Sequence, residues 1–175
     1  RDTGLELHSA SKSLNMTGWR CGFVAGNPLL VKAYGDVKDN TDSGQFLAIQ
    51  HAAARGFDHP EITAQIAAKY SRRMAALARV LGDAGFGARK PKGSFFLYVK
   101  APKAAVKQDG GRVEFPNAEA VSQWLIAEQL ISTVPWDDAG AYLRWSVTFV
   151  ARGQADEGRI LAELARRLAS VQFVF

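Results

Sequence analysis

Cysteine and methionine are scarce in this sequence: its 175 residues include one Cys and two Met. A single thiol, Cys21, forbids an intrachain disulfide and fits a reducing compartment; within its strand-like run it reads as a small core residue. No run of eighteen apolar residues occurs, so a long membrane-spanning helix is not expected. Blocks of one charge sign are missing as well. The 22 Lys and Arg against 17 Asp and Glu give a net charge of +5, and the basic residues stand singly or in pairs, which argues against a dedicated nucleic-acid face. The opening "RDTGLELHSA" has no apolar core of a signal peptide, and no lipidation motif is present. It also lacks an initiator Met, so the chain reads as a segment of a longer protein. His8, His51 and His59 have no metal-ligand spacing with one another or with Cys21, and no metal site is expected.

What is present is 47% apolar residues, enough for a real core, in alternating strand and helix patterns. "LELHSA" alternates and stops at Ser9, and "WRCGFVAG" is a second short strand closed by Gly26. Pro28 suits a first helical turn. A polar break from Lys38 to Gly44 separates that helix from a second, about Gln45 to Arg55. A long helix from Pro60 to about Leu81 follows, with Asp58 as its expected N-cap and a stripe of Ile62, Ile66, Tyr70, Leu77 and Leu81. "GSFFLYVKAP" is a strand, "KAAVKQDGGRVEFP" reads as a surface excursion, and "NAEAVSQWLIAEQLI" is a helix capped by Asn117. "STVP" is a short extended piece. "AYLRWSVTFV" is a strand with Leu143, Trp145, Val147 and Phe149 on one face and Arg144 on the other. The amphipathic "DEGRILAELARRLASV" closes the pattern with Ile160, Leu161, Leu164 and Leu168 toward a core. The order is α/β passing to α+β, and the two strands of the first part are too little sheet to stand alone.

The stretch "HSASKSLNMTGWRCGF" sets one lysine in a polar loop between two strands. A hydroxyl at Ser9 and a guanidinium at Arg20 can converge on a phosphate there, the guanidinium by a bidentate fork, while Lys12 lies within covalent reach of what the phosphate anchors. Pyridoxal phosphate calls for such parts: a Schiff-base lysine, a phosphate anchor, and an acid for the pyridine nitrogen. The first two are in this chain.

The string S-x-S-K-x-x-x-M-x-G-W-R-x-G, Ser9 to Gly22, resembles the lysine signature of the fold-type-I, class I/II aminotransferases. The resemblance covers essentially the whole chain and implies the C-terminal part of the pyridoxal-phosphate-dependent transferase fold. Residues 1–57 would be the end of the large cofactor-binding domain, and residues 58–175 a connecting helix and the small domain. It implies that Lys12 carries the cofactor, that Ser9 and Arg20 hold its phosphate, and that Arg144 in "YLRWSVTF" pairs with the substrate α-carboxylate. Without the resemblance, Arg144 reads as an edge-strand arginine on a solvated face. The pyridinium-pairing acid and the ring-stacking aromatic would lie upstream of this segment.

"VKDNTDSGQFLAIQ" and "STVPWDDAGAYLRWSVTF" look most like LL-diaminopimelate aminotransferases and their aspartate and alanine relatives. The implied protein is a cytoplasmic homodimer with shared active sites, acting on amino acids and 2-oxo acids in lysine biosynthesis. The loop from Lys38 would approach the neighbouring subunit's site, with Asn40 touching the distal end of the substrate. The alternatives are an aspartate or alanine aminotransferase, a carbon-sulfur lyase, and the aminotransferase-like effector domain of a transcription regulator that binds pyridoxal phosphate as a ligand.

Overall fold

The computed structural model describes residues 2–175, which pack as two compact units, one ending at Ala68 and the other running from Lys69 to Phe175. In the first unit, β1 (Leu5–Ser9) and β2 (Gly22–Gly26) form an antiparallel two-stranded ribbon, Leu5 opposite Gly26 and Ser9 opposite Gly22. The loop between them holds the short helix α1 (Ala10–Ser13) and a 3-10 turn at Thr17–Trp19. Both strand-pairing glycines are required by close approach. A Cβ on Gly22 would stand 2.6 Å from the His8 carbonyl oxygen, and one on Gly26, at φ +144°, would strike the carbonyl of Gly4. The helices α2 (Pro28–Asp39) and α3 (Leu47–Phe57) follow, and α4 (Pro60–Asp83) begins. Asn27 caps α2, its side-chain oxygen accepting from the amides of Leu29 and Leu30 at 2.9 and 3.3 Å, with Pro28 in the first turn as expected. Ala10, Leu14 and Ala53 are the buried apolar cluster here, with Met16 and Cys21 packed against it. Cys21 lies just before β2 and is only partly buried, packing against the core rather than within it as expected.

The second unit contains two antiparallel three-stranded sheets. In one, β3 (Phe96–Lys100) and β6 (Val134–Trp136) flank β7 (Tyr142–Ser146); in the other, β5 (Arg112–Glu114) and β8 (Val171–Val174) flank β4 (Ala104–Lys107). With α5 (Ala118–Gln129) and α6 (Gln154–Leu168) these strands close a core that includes Leu77 and Leu81 of α4, Leu97, Val121, Leu125, Leu143, Trp145 and Leu161. Period-two alternation along β7 sends Leu143 and Trp145 inward and leaves Arg144 on the opposite face. Asn117 caps α5, its side-chain oxygen accepting from the Ala120 amide at 2.9 Å. Among the described residues, no helix is long and apolar enough to cross a membrane.

Four further details depart from the sequence reading. The "surface excursion" is the β4–β5 hairpin, with Ala104 and Ala105 fully buried and β4 paired to the unforeseen C-terminal strand β8; alanines carry little strand signal, and a strand of four residues at a chain end carries less. The second strand starts at Gly22 rather than Trp19, because Arg20 is left-handed at φ 53°. Asp58 closes α3 and does not cap α4, its amide donating to the Ala54 carbonyl at 3.1 Å while the His59 amide donates to that of Gly56 at 3.2 Å. Arg144 sits on the central strand of its sheet, not an edge.

Candidate functional site

The loop from Ala10 to Cys21 is pinned at its mouth. The Ser9–Gly22 pair ends the ribbon, and the Ala10 amide donates to the Cys21 carbonyl at 3.1 Å. Ser9, Lys12 and Arg20 therefore all emerge from the same end of the ribbon. The Ser9 hydroxyl oxygen accepts from the Ser11 amide at 3.1 Å as the N-cap of α1, which leaves its own proton to donate outward. Lys12 lies in α1 and its side chain is exposed. Inside the loop, Thr17 Oγ1 donates to the Ser11 carbonyl at 2.8 Å, so the segment is folded back on itself.

Arg20 holds a left-handed backbone that an L-residue with a Cβ adopts at a cost of about 1–2 kcal/mol. The conformation is tied on both sides: Arg20 Nη1 donates to the Thr17 carbonyl at 3.0 Å, and the Arg20 carbonyl accepts from Gln45 Nε2 at 2.6 Å. Asn15 in the same loop, and Ser94 and Leu130 in the second unit, hold the same left-handed backbone. The donor set suits pyridoxal phosphate: a primary amine for its aldehyde, and a hydroxyl and a guanidinium with donors to spare for its phosphate. The Gly22 backbone leaves no room for a Cβ at the loop's base.

Arg20 also borders an open cleft of about 480 Å³ shared with His8, Phe23, Tyr34, Lys38, Asp42 and Gln45. Ser9, Lys12 and Asn40 are not among its walls. His8 stacks on Phe23 with ring centroids 4.9 Å apart. Lys38 is committed within its own loop, with Nζ 2.7 Å from both carboxylate oxygens of Asp42. That hydrogen bond raises the Lys38 pKa, and with the Gly44 amide it lowers that of Asp42. Asn40 ends α2, where Nδ2 donates to the Asp36 carbonyl at 2.8 Å. That bond gives Asn40 a turn-forming role and uses one of its two Nδ2 protons.

Arg144, in the second unit, is half-buried. Its guanidinium carbon lies 4.4 Å from the centroid of the Phe96 ring, and its Nε is buried with no hydrogen-bond partner. A buried unpaired guanidinium nitrogen costs about 1–3 kcal/mol or more. An arginine kept in this state suits an anion that arrives from outside the fold. A second arginine, which the sequence reading missed, is structural: Arg73 is 2% exposed. It donates from Nε to Glu157 Oε1 at 2.9 Å and from Nη1 to the Val147 and Phe149 carbonyls, while Arg72 grips the same carboxylate. Tandem "RR" on a helix and a lone Glu 84 residues on give no sequence signal of that pairing. Phe96 was legible only as a strand former.

The family described as "Aminotransferase class I and II" matches residues 1–163. The chain is 51% identical over 180 residues to an LL-diaminopimelate aminotransferase of Methanococcus maripaludis, covering 100% of this chain and 42% of that protein. It is 48% identical over 183 residues to the enzyme of the same name from Methanocaldococcus jannaschii, covering 43% of it. The chain therefore spans less than half the length of these curated relatives. Among solved structures, an aminotransferase from Staphylococcus aureus superposes with a TM-score of 0.74 at 21% identity, over 95% of this chain and 42% of that one. An aspartate aminotransferase from Rhizobium meliloti gives 0.69 at 21%, with the same coverage. The expected fold, the C-terminal part of the pyridoxal-phosphate-dependent transferase architecture, is what these superpositions show. A family match over nearly the whole sequence, joined to half-identical relatives, establishes that the chain belongs to the class I and II aminotransferases.

Proposed function

We propose that this chain is the C-terminal part of an LL-diaminopimelate aminotransferase that uses 2-oxoglutarate as amino acceptor, in lysine biosynthesis, as a cytoplasmic homodimer. Residues 1–57 are assigned to the large cofactor-binding domain and residues 58–175 to the connecting helix and small domain. The observation that carries the reading is the pinned loop, which delivers Ser9, Lys12 and Arg20 from one end of the β1–β2 ribbon.

Pyridoxal phosphate, when bound, supplies the electron sink that makes an amino acid's α-proton removable. Ser9 and Arg20 are assigned its phosphate, the hydroxyl by donation and the guanidinium by charge and fork. Lys12 Nζ is assigned the covalent hold on the cofactor and, once released, the proton taken from the substrate Cα. Arg144 is assigned the substrate α-carboxylate, whose fixed orientation aligns the Cα–H bond for removal.

The substrate class rests on the Lys38–Asp42 pair. A dedicated aspartate enzyme wants a cation for the distal carboxylate, and Lys38 already spends its charge on Asp42. Asn40, whose Nδ2 is engaged with Asp36, offers Oδ1, an acceptor suited to the distal ammonium of diaminopimelate. Side-by-side kcat/KM values of the full-length enzyme for LL-diaminopimelate and aspartate test the proposal. Preference for diaminopimelate, lost selectively in Asn40→Ala, is the expected result. Preference for aspartate refutes the substrate assignment and leaves the transamination reading standing.

A further inference from the structure

We infer that Phe96 is the positioning residue of Arg144, anchoring the guanidinium by its ring where a protein carboxylate or carbonyl would otherwise do so. The inference rests on the proposed reading of Arg144 as partner of the substrate carboxylate. Strands β3 and β7 pair with Phe96 opposite Ser146 and Tyr98 opposite Arg144. Phe96 and Arg144 are thus diagonal neighbours on one face of the sheet, a separation that long side chains bridge. The guanidinium carbon stands 4.4 Å from the ring centroid. The ring is itself braced, because Phe95 meets it edge-on at 4.6 Å and Tyr70 packs on Phe95 at 5.6 Å.

No carboxylate, carbonyl or hydroxyl among the described residues accepts from the Arg144 guanidinium, and its Nε is buried unpaired. The mode of anchoring has a chemical consequence. An arginine tied to a carboxylate has its charge compensated and part of its donor fork occupied. An arginine lying over an aromatic ring is held through its π face, which uses none of its N–H groups and leaves its full charge for an incoming anion. Stacking also removes rotamer freedom before the ligand arrives, so less is lost on binding. Phe96 therefore acts on the substrate through Arg144 without touching it.

The test uses the full-length holoenzyme and four variants: Phe96→Leu, Phe96→Tyr, Arg144→Lys and the Phe96→Leu/Arg144→Lys double variant. Loss of a partly desolvated cation–π contact corresponds to about a 5- to 30-fold change, and Phe96→Leu is expected to raise the KM of the amino donor by that factor while kcat falls less. The absorption band of the bound cofactor should be unchanged, and Phe96→Tyr should restore KM. In the Arg144→Lys background, Phe96→Leu should add less than about twofold, since the partner it positions is gone. A merely structural Phe96 would move melting temperature and cofactor band instead, and its effect would persist in that background. An unchanged KM in Phe96→Leu, alongside a raised KM in Arg144→Lys, overturns the positioning role and spares the carboxylate role. An unchanged KM in Arg144→Lys overturns the parent reading. Should Phe96→Leu fail to fold, pentafluorophenylalanine at position 96 carries the test, because it reverses the ring's electrostatic face while nearly keeping its shape. A raised KM then supports the inference, and an unchanged one ends it.

Discussion

Replacing Glu157 by Gln isolates the charge that holds α4 to α6. The Glu157 carboxylate accepts from Arg73 Nε at 2.9 Å and from Arg72 at 3.0 to 3.1 Å, and its side chain is 9% exposed. Arg73 is the deeper partner, and its guanidinium also lies 4.3 Å from the Phe149 ring. Glu157→Gln keeps the volume and removes the anion, leaving Arg73 charged in the interior. Breaking a buried pair in this way destabilises by about 3–5 kcal/mol. Arg72, at 42% side-chain exposure, is solvated, so Arg72→Ala should cost no more than about 1 kcal/mol. Urea unfolding of the protein, followed by tryptophan fluorescence, measures both. Burial pushes the Glu157 pKa up, but hydrogen bonds from Arg73 and Arg72 outweigh it, and the net value lies below the ordinary 4.5. A depressed folded-state pKa means that the pair's contribution is complete above 4.5 and is lost as pH falls through the lower, folded value. Wild type should therefore lose stability on acidification below 4.5 more steeply than Glu157→Gln. A Glu157→Gln protein within 1 kcal/mol of wild type, or one with the same acid profile, refutes the argument, since a buried uncompensated guanidinium cannot be that cheap.

Other substitutions follow the same logic. Gly22→Ala sets a methyl against the His8 carbonyl at 2.6 Å; the ribbon end must shift, and cofactor affinity should fall at least about tenfold, a misplacement effect readable by absorbance titration. Asn117→Ala removes the cap of α5 and should cost about 1 kcal/mol in unfolding experiments, while leaving KM untouched. Arg144→Lys replaces the planar fork by a point charge and should lower kcat/KM by about 2–4 kcal/mol in steady-state assays, whereas unchanged kinetics would leave Arg144 a packing partner of Phe96 alone.

The elements that the sequence announced are those with a strong period or a chemical stop. Pro28, Asn117 and the Leu143–Trp145 alternation put α2, α5 and β7 where the structure has them, and the Ser9-to-Gly22 string marks the lysine loop between β1 and β2. What stayed hidden was decided by partners remote in sequence. Ala104 and Ala105 are buried because β8 lies beside them, and nothing local marks an alanine pair as sheet. Arg20 looks like a strand residue until the Thr17 carbonyl and Gln45 side chain draw it into the left-handed region. Phe96 and Arg144 stand 48 positions apart, and only the β3–β7 register makes them neighbours. The Arg73–Glu157 pair is hidden for the same reason.

The central claim is that Lys12 carries the cofactor, and borohydride reduction of the full-length holoenzyme tests it most directly. Reduction makes the lysine–cofactor link permanent, and peptide mass spectrometry then reads its position. The account predicts one pyridoxyl group, on Lys12, in the peptide that also contains Ser9, and its absence in Lys12→Ala. A pyridoxyl group on any other lysine would contradict it.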